Sequence, residues 1–208
     1  MSHGSSGPAL TFRTRTMNVE TDKAALRKQA LTRRALVSGE ERKAASTYMA
    51  AEGLRLARAR PGVKTAALYW PIRDEADTFP LIRALADAGF TTALPVVQGA
   101  GEPMAFRRWA PGDRLMKAAY GLSEPEEEQA LVQPDIVFAP LAGYDRRGYR
   151  IGYGKGHYDL TLESLRADHK TLVVGLAFSC QEVPEIPAEP HDQKLDFLIT
   201  ENDLIDFG

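Results

Sequence analysis

The segment from Arg150 to Asp159 combines residue types that suit the binding of a phosphate group. It reads Arg-Ile-Gly-Tyr-Gly-Lys-Gly-His-Tyr-Asp, so three glycines alternate with larger residues and a lysine lies among them. Glycines let the backbone approach an anion closely, and exposed backbone N–H groups can donate to phosphate oxygens. Arg150 and Lys155 add positive charge. These features favour a phosphate site, and the alternative is a glycine-rich turn that only connects two elements.

The position of this segment also favours ligand binding. It follows Asp135–Ala139, a continuous apolar run that predicts a buried strand, and it leads into a helix predicted over 156–166. Open α/β sheets bind ligands at the carboxyl ends of their strands, and the positive end of a helix dipole favours phosphate. The segment matches neither the P-loop nor the dinucleotide-binding glycine pattern. It therefore predicts a phosphate site of another kind.

Three further charged residues have spacings that could serve such a site. Asp159 falls in the first turn of the predicted helix, where a carboxylate interacts favourably with the dipole. It could also hold Mg²⁺, which prefers one or two carboxylates together with phosphate and water. Lys23 and Arg27 are four residues apart and share one face of a predicted helix. They form either a solvated basic face or part of an anion site.

Alternating helix and strand patterns predict the elements that position these residues. Helices are predicted over 23–37, over 39–60 after the capping-box pattern at Ser38, between Thr78 and Gly89, and over 156–166. Strands are predicted over 65–70, 90–97, 103–109, 135–139, 171–178 and 197–200, and 110–133 is predicted as a loop. This alternation predicts a single-domain α/β fold, with a mostly parallel sheet and helices on both faces.

The composition excludes several classes of protein. The 208 residues include 26 Lys plus Arg and 28 Asp plus Glu, a near-neutral balance that argues against wrapping of duplex nucleic acid. No apolar run approaches the roughly 20 residues of a membrane-spanning helix. The single cysteine, Cys180, fits a reducing compartment. We expect a cytoplasmic protein, a monomer or weak homodimer, with a disordered leader or expression remnant over 1–20 and one domain over 21–208.

The sequence resembles the 5-formyltetrahydrofolate cyclo-ligase family, also called 5,10-methenyltetrahydrofolate synthetases. The resemblance rests on the segment 150–159 and on Lys23-x-x-x-Arg27, and it covers nearly the whole chain after Thr21. Four weaker segments occur in the same order as in the family: 69–71, 74–78, 102–125 and 191–196. The fold that this resemblance implies is Rossmann-like, of the CoA-transferase-like type.

The resemblance implies an ATP site at the glycine-rich segment, with Lys155 and Arg150 as the residues that act on the triphosphate. The implied ATP-binding residues are Lys23, Arg27, Arg150, Ile151, Gly152, Tyr153, Gly154, Lys155, Gly156, His157 and Tyr158. Two of these positions depart from the family pattern. His157 replaces a tyrosine that is common in the family, and Tyr153 replaces the arginine of some members.

The resemblance also implies a folate site and a magnesium site. Trp70 and Glu75 are implied to contact the folate, since a pterin offers a flat face for an aromatic ring and N–H groups for a carboxylate. Taken alone, a tryptophan at this position is more often a core residue than a platform for a ligand. Asp159 and Asp192 are implied to hold Mg²⁺, although Asp192 taken alone is an ordinary turn residue.

The implied reaction is the ATP-dependent cyclisation of 5-formyltetrahydrofolate to 5,10-methenyltetrahydrofolate, with release of ADP and phosphate. A phosphorylated formyl group is the implied intermediate, and no side chain is required as a covalent nucleophile. Two other functions remain open from the residues. One is a folate- or nucleotide-binding relative of the same fold without turnover, and the other is an ATP-dependent kinase that acts on a different metabolite.

Overall fold

This computed structural model describes residues 19–118 and 123–208. Its helices are α1 (Val19–Ala35), α2 (Gly39–Arg58), α3 (Phe79–Asp87) and α4 (His157–Asp168), with a short 3₁₀ helix over Ser179–Gln181. Its strands are β1 (Thr65–Ala67), β2 (Thr91–Val96), β3 (Ala105–Arg108), β4 (Leu115–Lys117), β5 (Ser123–Pro125), β6 (Leu131–Val132), β7 (Ile136–Pro140), β8 (Gly143–Tyr144), β9 (Arg150–Ile151), β10 (Leu172–Leu176), β11 (Phe197–Ile199) and β12 (Leu204–Asp206).

Eight of these strands form one sheet in the order β12-β11-β10-β7-β1-β2-β3-β6. The five consecutive strands from β11 to β2 run parallel to their neighbours. Strands β12, β3 and β6 add antiparallel pairs at the two edges. The prediction of a mostly parallel sheet is therefore confirmed, and the antiparallel pairs are confined to its two edges.

Helices cover both faces of the sheet because the central strands are apolar on both sides. Side chains of a strand point alternately to opposite faces. In β7, Ile136 and Phe138 belong to the core cluster that includes α2 and α3 residues. Val137 and Ala139 belong to the opposite cluster, which includes Leu162 of α4. This arrangement confirms the predicted α/β fold class with helices on both faces.

The predicted capping box at the start of α2 is confirmed, whereas the N-cap residue of α3 makes no side-chain hydrogen bond to its helix. Ser38 accepts a hydrogen bond from the Glu41 backbone, and the Glu41 side chain accepts one from the Ser38 backbone. At α3, Thr78 stands at the N-cap position, but its hydroxyl donates to the Tyr69 carbonyl at 2.7 Å. Asp77 accepts from the Phe79 N–H instead, at 2.9 Å. The buried Thr78 hydroxyl thus satisfies a buried carbonyl rather than the helix terminus.

Several predicted element bounds differ from the structure. The segment 110–133, predicted as a loop, contains β4, β5 and β6, of which the first two form a separate antiparallel pair. The glycine-rich stretch contains the β8–β9 hairpin, and β12 was not predicted. Such two- and three-residue strands have no periodic pattern to reveal them. Helix α1 begins at Val19, two residues inside the predicted leader, and residues 1–18 of that leader lie outside the described residues.

Helix α1 crosses the side of the molecule that holds the glycine-rich segment. Leu26 and Ala30 pack against Ile151, Val183 and Ile186, which fixes this face of the helix on β9 and on the chain that follows the 3₁₀ helix. The segment after β1 emerges nearby, because β1 and β7 are parallel neighbours and their carboxyl ends meet at one edge. None of the four helices over 19–118 and 123–208 combines the length and hydropathy needed to cross a bilayer.

Candidate active site

Three cations on one face of α1 contact the loops at the carboxyl edge of the sheet. Lys23, Arg27 and Arg34 are separated by four and seven residues, so they follow one face of the helix. Lys23 reaches the loop before β11, while Arg27 and Arg34 reach the glycine-rich loop. The structure thus brings together two predicted ATP-site residues, Lys23 and Arg27, and adds a third cation that the sequence analysis did not single out.

Lys23 is buried and paired with two carboxylates. Its Nζ donates to Asp192 Oδ2 at 2.7 Å and to Glu189 Oε2 at 2.9 Å. Burial lowers the pKa of Lys23, but the hydrogen bonds to Asp192 and Glu189 outweigh that effect and leave the pKa above its ordinary value. Lys23 is therefore a charged ammonium group within an ion pair, and it is not part of a solvated basic face.

The glycine-rich loop over 152–156 exposes its backbone beside a helix terminus. Arg27 Nε donates to the Gly152 carbonyl at 2.7 Å. Gly154 and Gly156 adopt φ values of +87° and +70°, in the left-handed region that other residues rarely enter. Gly156 is the N-cap of α4 and has no side chain to accept from the first N–H groups of the helix. Lys155 lies on the exposed surface of this loop.

Arg150 and Asp159 form an ion pair at the foot of the loop. Arg150 Nη2 donates to Asp159 Oδ1 at 2.8 Å, and Arg150 Nη1 donates to the Gln193 carbonyl. The Asp159 Oδ1 atom also accepts from the Gln193 N–H at 3.1 Å. Burial lowers the pKa of Arg150, and the Asp159 charge opposes that shift. Arg150 therefore holds the Asp159 carboxylate in place next to the backbone of Gln193, the residue after Asp192.

The carboxylates near Lys23 have a donor chemistry that fits Mg²⁺. Ligand atoms of Glu189, His191 and Asp192 lie within 4.8 Å of one another. Carboxylate oxygens are the hard ligands that Mg²⁺ prefers, whereas the His191 imidazole suits softer metals. Asp159 is not one of these three residues, but its carboxylate accepts from the N–H of Gln193, the residue after Asp192. Among the described residues, both hydrogen bonds to the Asp159 carboxylate fall on Oδ1.

Glu75 lies in a buried network that ends on the glycine-rich loop. Its Oε1 accepts from the Tyr153 hydroxyl at 2.5 Å, and its Oε2 accepts from the Ile72 N–H at 2.9 Å. Arg34 Nη1 donates to the same tyrosine oxygen at 2.7 Å, and Arg34 Nη2 donates to Asp74 Oδ1 at 2.6 Å. Burial raises the pKa of Glu75, and the Tyr153 and Ile72 hydrogen bonds partly oppose that rise.

Trp70 lies at the margin of the core beside this network. Its ring meets Phe79 edge-on at 4.6 Å between centroids and Trp109 edge-on at 5.7 Å. Trp70 is half-buried, whereas Trp109 is buried. Trp70 therefore packs against the core, while part of its side chain stays exposed.

The remaining predicted ATP-site residues differ in their surroundings. Ile151 is buried and packs against α1, so its side chain belongs to the core. Tyr158 packs against the core cluster on the α4 side of the sheet. His157 is half-buried, and its Nδ1 atom is buried without a hydrogen-bond partner among the described residues. Of these three, His157 has a polar atom left for a ligand or a water molecule.

Sequence reasoning missed three residues of this site, namely Arg34, Asp74 and Glu189. Arg34 follows Arg27 by seven residues, a spacing that already indicated the same helix face. Asp74 lies in the segment 74–78 but was not assigned to the site, and it pairs with Arg34. Glu189 has no local signal, because its contact with Lys23 joins positions 166 residues apart.

A profile of the 5-formyltetrahydrofolate cyclo-ligase family matches residues 19–201. The 5-formyltetrahydrofolate cyclo-ligase of Haemophilus influenzae is 34% identical over 137 residues, which are 64% of this chain and 73% of that protein. The enzyme of the same name from Escherichia coli K12 is 34% identical over 142 residues, 65% and 77% of the two chains.

Two solved structures are also similar to this chain. The 5,10-methenyltetrahydrofolate synthetase of Mycoplasma pneumoniae superimposes with a TM-score of 0.71 at 28% identity, covering 86% of this chain and 99% of that one. The corresponding protein of Aquifex aeolicus superimposes with a TM-score of 0.70 at 31% identity, covering 89% and 92%.

Proposed function

Because this chain belongs to the 5-formyltetrahydrofolate cyclo-ligase family, we propose that it uses ATP and Mg²⁺ to convert 5-formyltetrahydrofolate into 5,10-methenyltetrahydrofolate. The profile spans the described fold from α1 to the end of β11, and similar proteins in bacteria are named for this ligase activity. The chain is accordingly a ligase that acts on a reduced folate. The nucleotide, the metal and the intermediate are the proposed parts.

The proposed chemistry overcomes the poor leaving ability of a formamide oxygen. The formyl oxygen on N5 attacks the γ-phosphorus of ATP, the bond to the bridging oxygen breaks, and ADP leaves. The formyl carbon then carries an imidate-like phosphate. The N10 nitrogen attacks this carbon, loses its proton, and displaces phosphate to close the five-membered ring. Aligning two reactive groups within one bound molecule can lower a barrier by about 7–11 kcal/mol in favourable cases.

The protein's part in this reaction is positioning and charge, as in other phosphoryl transfers. We assign the triphosphate to the loop over 152–156, whose backbone N–H groups lie at the N-terminus of α4. Lys155 and Arg27 supply positive charge at the two sides of that loop. Lys23 and Arg150 lie further in, where each now neutralises a carboxylate.

Glu75 and Trp70 are assigned to the pterin. The Glu75 carboxylate is buried and can accept from ring N–H groups, and the half-exposed Trp70 ring can pack against the pterin face. Asp159 and Asp192 would hold Mg²⁺, with Glu189 beside them. When bound there, Mg²⁺ would neutralise negative charge on the triphosphate. We expect the enzyme to act in the cytoplasm, where a half-buried thiol such as Cys180 stays reduced.

The observation that carries this proposal is the contact between the glycine-rich loop and the segment after β1. Tyr153 of the loop donates to Glu75 at 2.5 Å, so an anion at the loop and a pterin at Glu75 would be held side by side. Phosphoryl transfer to a substrate oxygen requires this proximity.

Measuring the absorbance of methenyl product on purified protein tests the proposal. Product should form with 5-formyltetrahydrofolate, ATP and Mg²⁺ together, and the omission of ATP or chelation of the metal should abolish it. A folate-binding relative without turnover would give no product under any condition. A kinase for another metabolite would consume ATP without any dependence on folate, and either result would contradict the proposed reaction.

A further inference from the structure

We propose that Tyr153 is a positioning residue that couples the two substrate sites, so that nucleotide bound at the glycine-rich loop strengthens folate binding at Glu75. This inference rests on the proposed function, because it assigns the loop to ATP and Glu75 to the pterin. It concerns a position where the side chain departs from the arginine of some family members. The coupling would be a property of this chain's own hydrogen-bond network.

The Tyr153 side chain runs from the glycine-rich loop to the segment after β1. Its backbone lies between Gly152 and Gly154, in the part of the loop assigned to phosphate. Its hydroxyl leaves that loop and reaches Glu75, 78 residues away in sequence, at 2.5 Å. Any displacement of the loop backbone therefore moves the atom that donates to the carboxylate.

The Tyr153 hydroxyl accepts one hydrogen bond and donates another. The Tyr153 oxygen accepts from Arg34 Nη1 at 2.7 Å while its proton is donated to Glu75 Oε1. Arg34 is 2% exposed and is held at its other end by Asp74 at 2.6 Å. Because Arg34 donates to the hydroxyl and Glu75 accepts from it, the hydroxyl has one favourable position. Buried networks of this kind stabilise one arrangement of the groups that they join.

The same network reaches the backbone of the segment assigned to folate. Glu75 Oε2 accepts from the Ile72 N–H at 2.9 Å. The carboxylate is therefore hydrogen-bonded to the backbone of its own loop and to the Tyr153 hydroxyl. Anchoring the glycine-rich loop by a triphosphate would thus order Tyr153, then Glu75, and then the turn from Ile72. A second ligand that needs the same arrangement binds more tightly once the first has established it.

Isothermal titration calorimetry on the full chain tests the coupling. The dissociation constant of 5-formyltetrahydrofolate is measured alone and with saturating AMP-PNP and Mg²⁺, for wild type and for Tyr153→Phe. We expect the nucleotide to tighten folate binding by about fivefold or more in wild type, the usual scale of a coupling between sites. In Tyr153→Phe, which keeps the ring and loses only the hydroxyl, the ratio should fall to within about twofold of unity.

Tyr48→Phe is the matched control, because it makes the same change at an exposed position on α2. It should keep the wild-type ratio. A Tyr153→Phe variant that binds each ligand and retains the wild-type ratio would overturn the role of Tyr153 alone. Failure of wild type to bind either AMP-PNP or 5-formyltetrahydrofolate would contradict the proposed function itself, and the coupling with it.

Amide hydrogen exchange on wild type gives a second measurement that does not depend on the variant's folding. AMP-PNP with Mg²⁺ and no folate should slow exchange at the glycine-rich loop and also in a peptide that contains Ile72–Ala76. Protection that stops at the loop would contradict the coupling. In Tyr153→Phe we expect the protection to be confined to the loop.

Discussion

The ammonium group of Lys23 lies 2.7 Å from Oδ2 of Asp192, although 169 residues separate the two in sequence. This ion pair joins the first helix to the loop that precedes the last parallel strand. The same Asp192 oxygen also accepts from the Glu189 N–H at 2.7 Å, so the carboxylate shapes its own turn as well. The pair therefore has a structural role in the protein before any ligand binds.

Replacement of Lys23 with methionine should lower both stability and activity. It leaves Asp192, whose side chain is 11% exposed, without its cation. Breaking a buried pair by removing one partner costs about 3–5 kcal/mol, and we expect a loss toward the low end because Glu189 remains partly exposed. Urea unfolding measures the change. Lys28→Met, at an exposed site on the same helix, should stay close to wild type, and an equal loss there would contradict the prediction.

A double variant measures how much the contact between Lys23 and Asp192 itself contributes to stability. In Lys23→Met combined with Asp192→Asn, no uncompensated charge remains between the two positions, so part of the stability should return. Neighbouring residues of one ion pair are expected to be non-additive in this way. Strict additivity of the two losses would show that the contact contributes little to folding.

Lys155→Ala should lower turnover by well over tenfold and leave the fold intact. The side chain is exposed, so little packing is lost, while positive charge at the phosphate loop disappears. Steady-state kinetics measures the turnover, and thermal melting followed by circular dichroism shows whether the fold is intact. Lys170→Ala is the matched control, since it removes an exposed lysine after α4. Turnover like that of wild type in Lys155→Ala would remove this residue from the mechanism.

Asp159→Asn should raise the Mg²⁺ concentration needed for half-maximal activity. The amide oxygen can still accept from Arg150 and the Gln193 N–H, so the local fold should persist while the charge is lost. A magnesium titration of the initial rate measures the effect. Asp168→Asn, at the other end of α4, should leave that titration unchanged. If both variants match wild type, Asp159 does not contribute to the magnesium site.

Part of this site was predictable from local pattern. The strand predicted over 135–139 and the glycines before α4 both have signals within a few residues, and the structure confirms the strand, the loop and the helix. The Ser38 capping box is equally local, and it is formed as predicted. These features depend on backbone conformation and burial, which neighbouring residues largely decide.

The contacts that join the elements were not predictable in the same way. Tyr153 and Arg150 stay predicted nucleotide residues, but their partners in the structure had no local signal. The Tyr153 hydroxyl contacts Arg34 and Glu75, and the Arg150 guanidinium contacts Asp159 and Gln193. Each pairing depends on how loops from different strands approach each other. No spacing rule within one segment contains that information, so the partners become visible only in the fold.

Glu75 gives a prediction about pH. Burial raises its pKa above the ordinary value, so the folded state binds a proton more strongly than the unfolded chain does. Stability should therefore fall as pH rises from the unfolded pKa, near 4.5, through the raised value, because the native state holds more protons there. The groups that face this carboxylate are Arg34, Asp74, Tyr69, Tyr153 and Tyr158.

Glu75→Gln should remove that loss of stability while it abolishes turnover. The amide oxygen can replace one acceptor, and no charge has to be buried at neutral pH. Urea unfolding of wild type and variant across pH 4.5 to 7.5 should show the two converging at acid pH, with the variant relatively more stable at neutral pH. Glu163→Gln, on the exposed surface of α4, should keep the wild-type pH dependence. A Glu75→Gln protein that is less stable than wild type at neutral pH would contradict this prediction. It would mean that the hydrogen bonds to the ionised Glu75 carboxylate stabilise the fold by more than the burial of its charge costs.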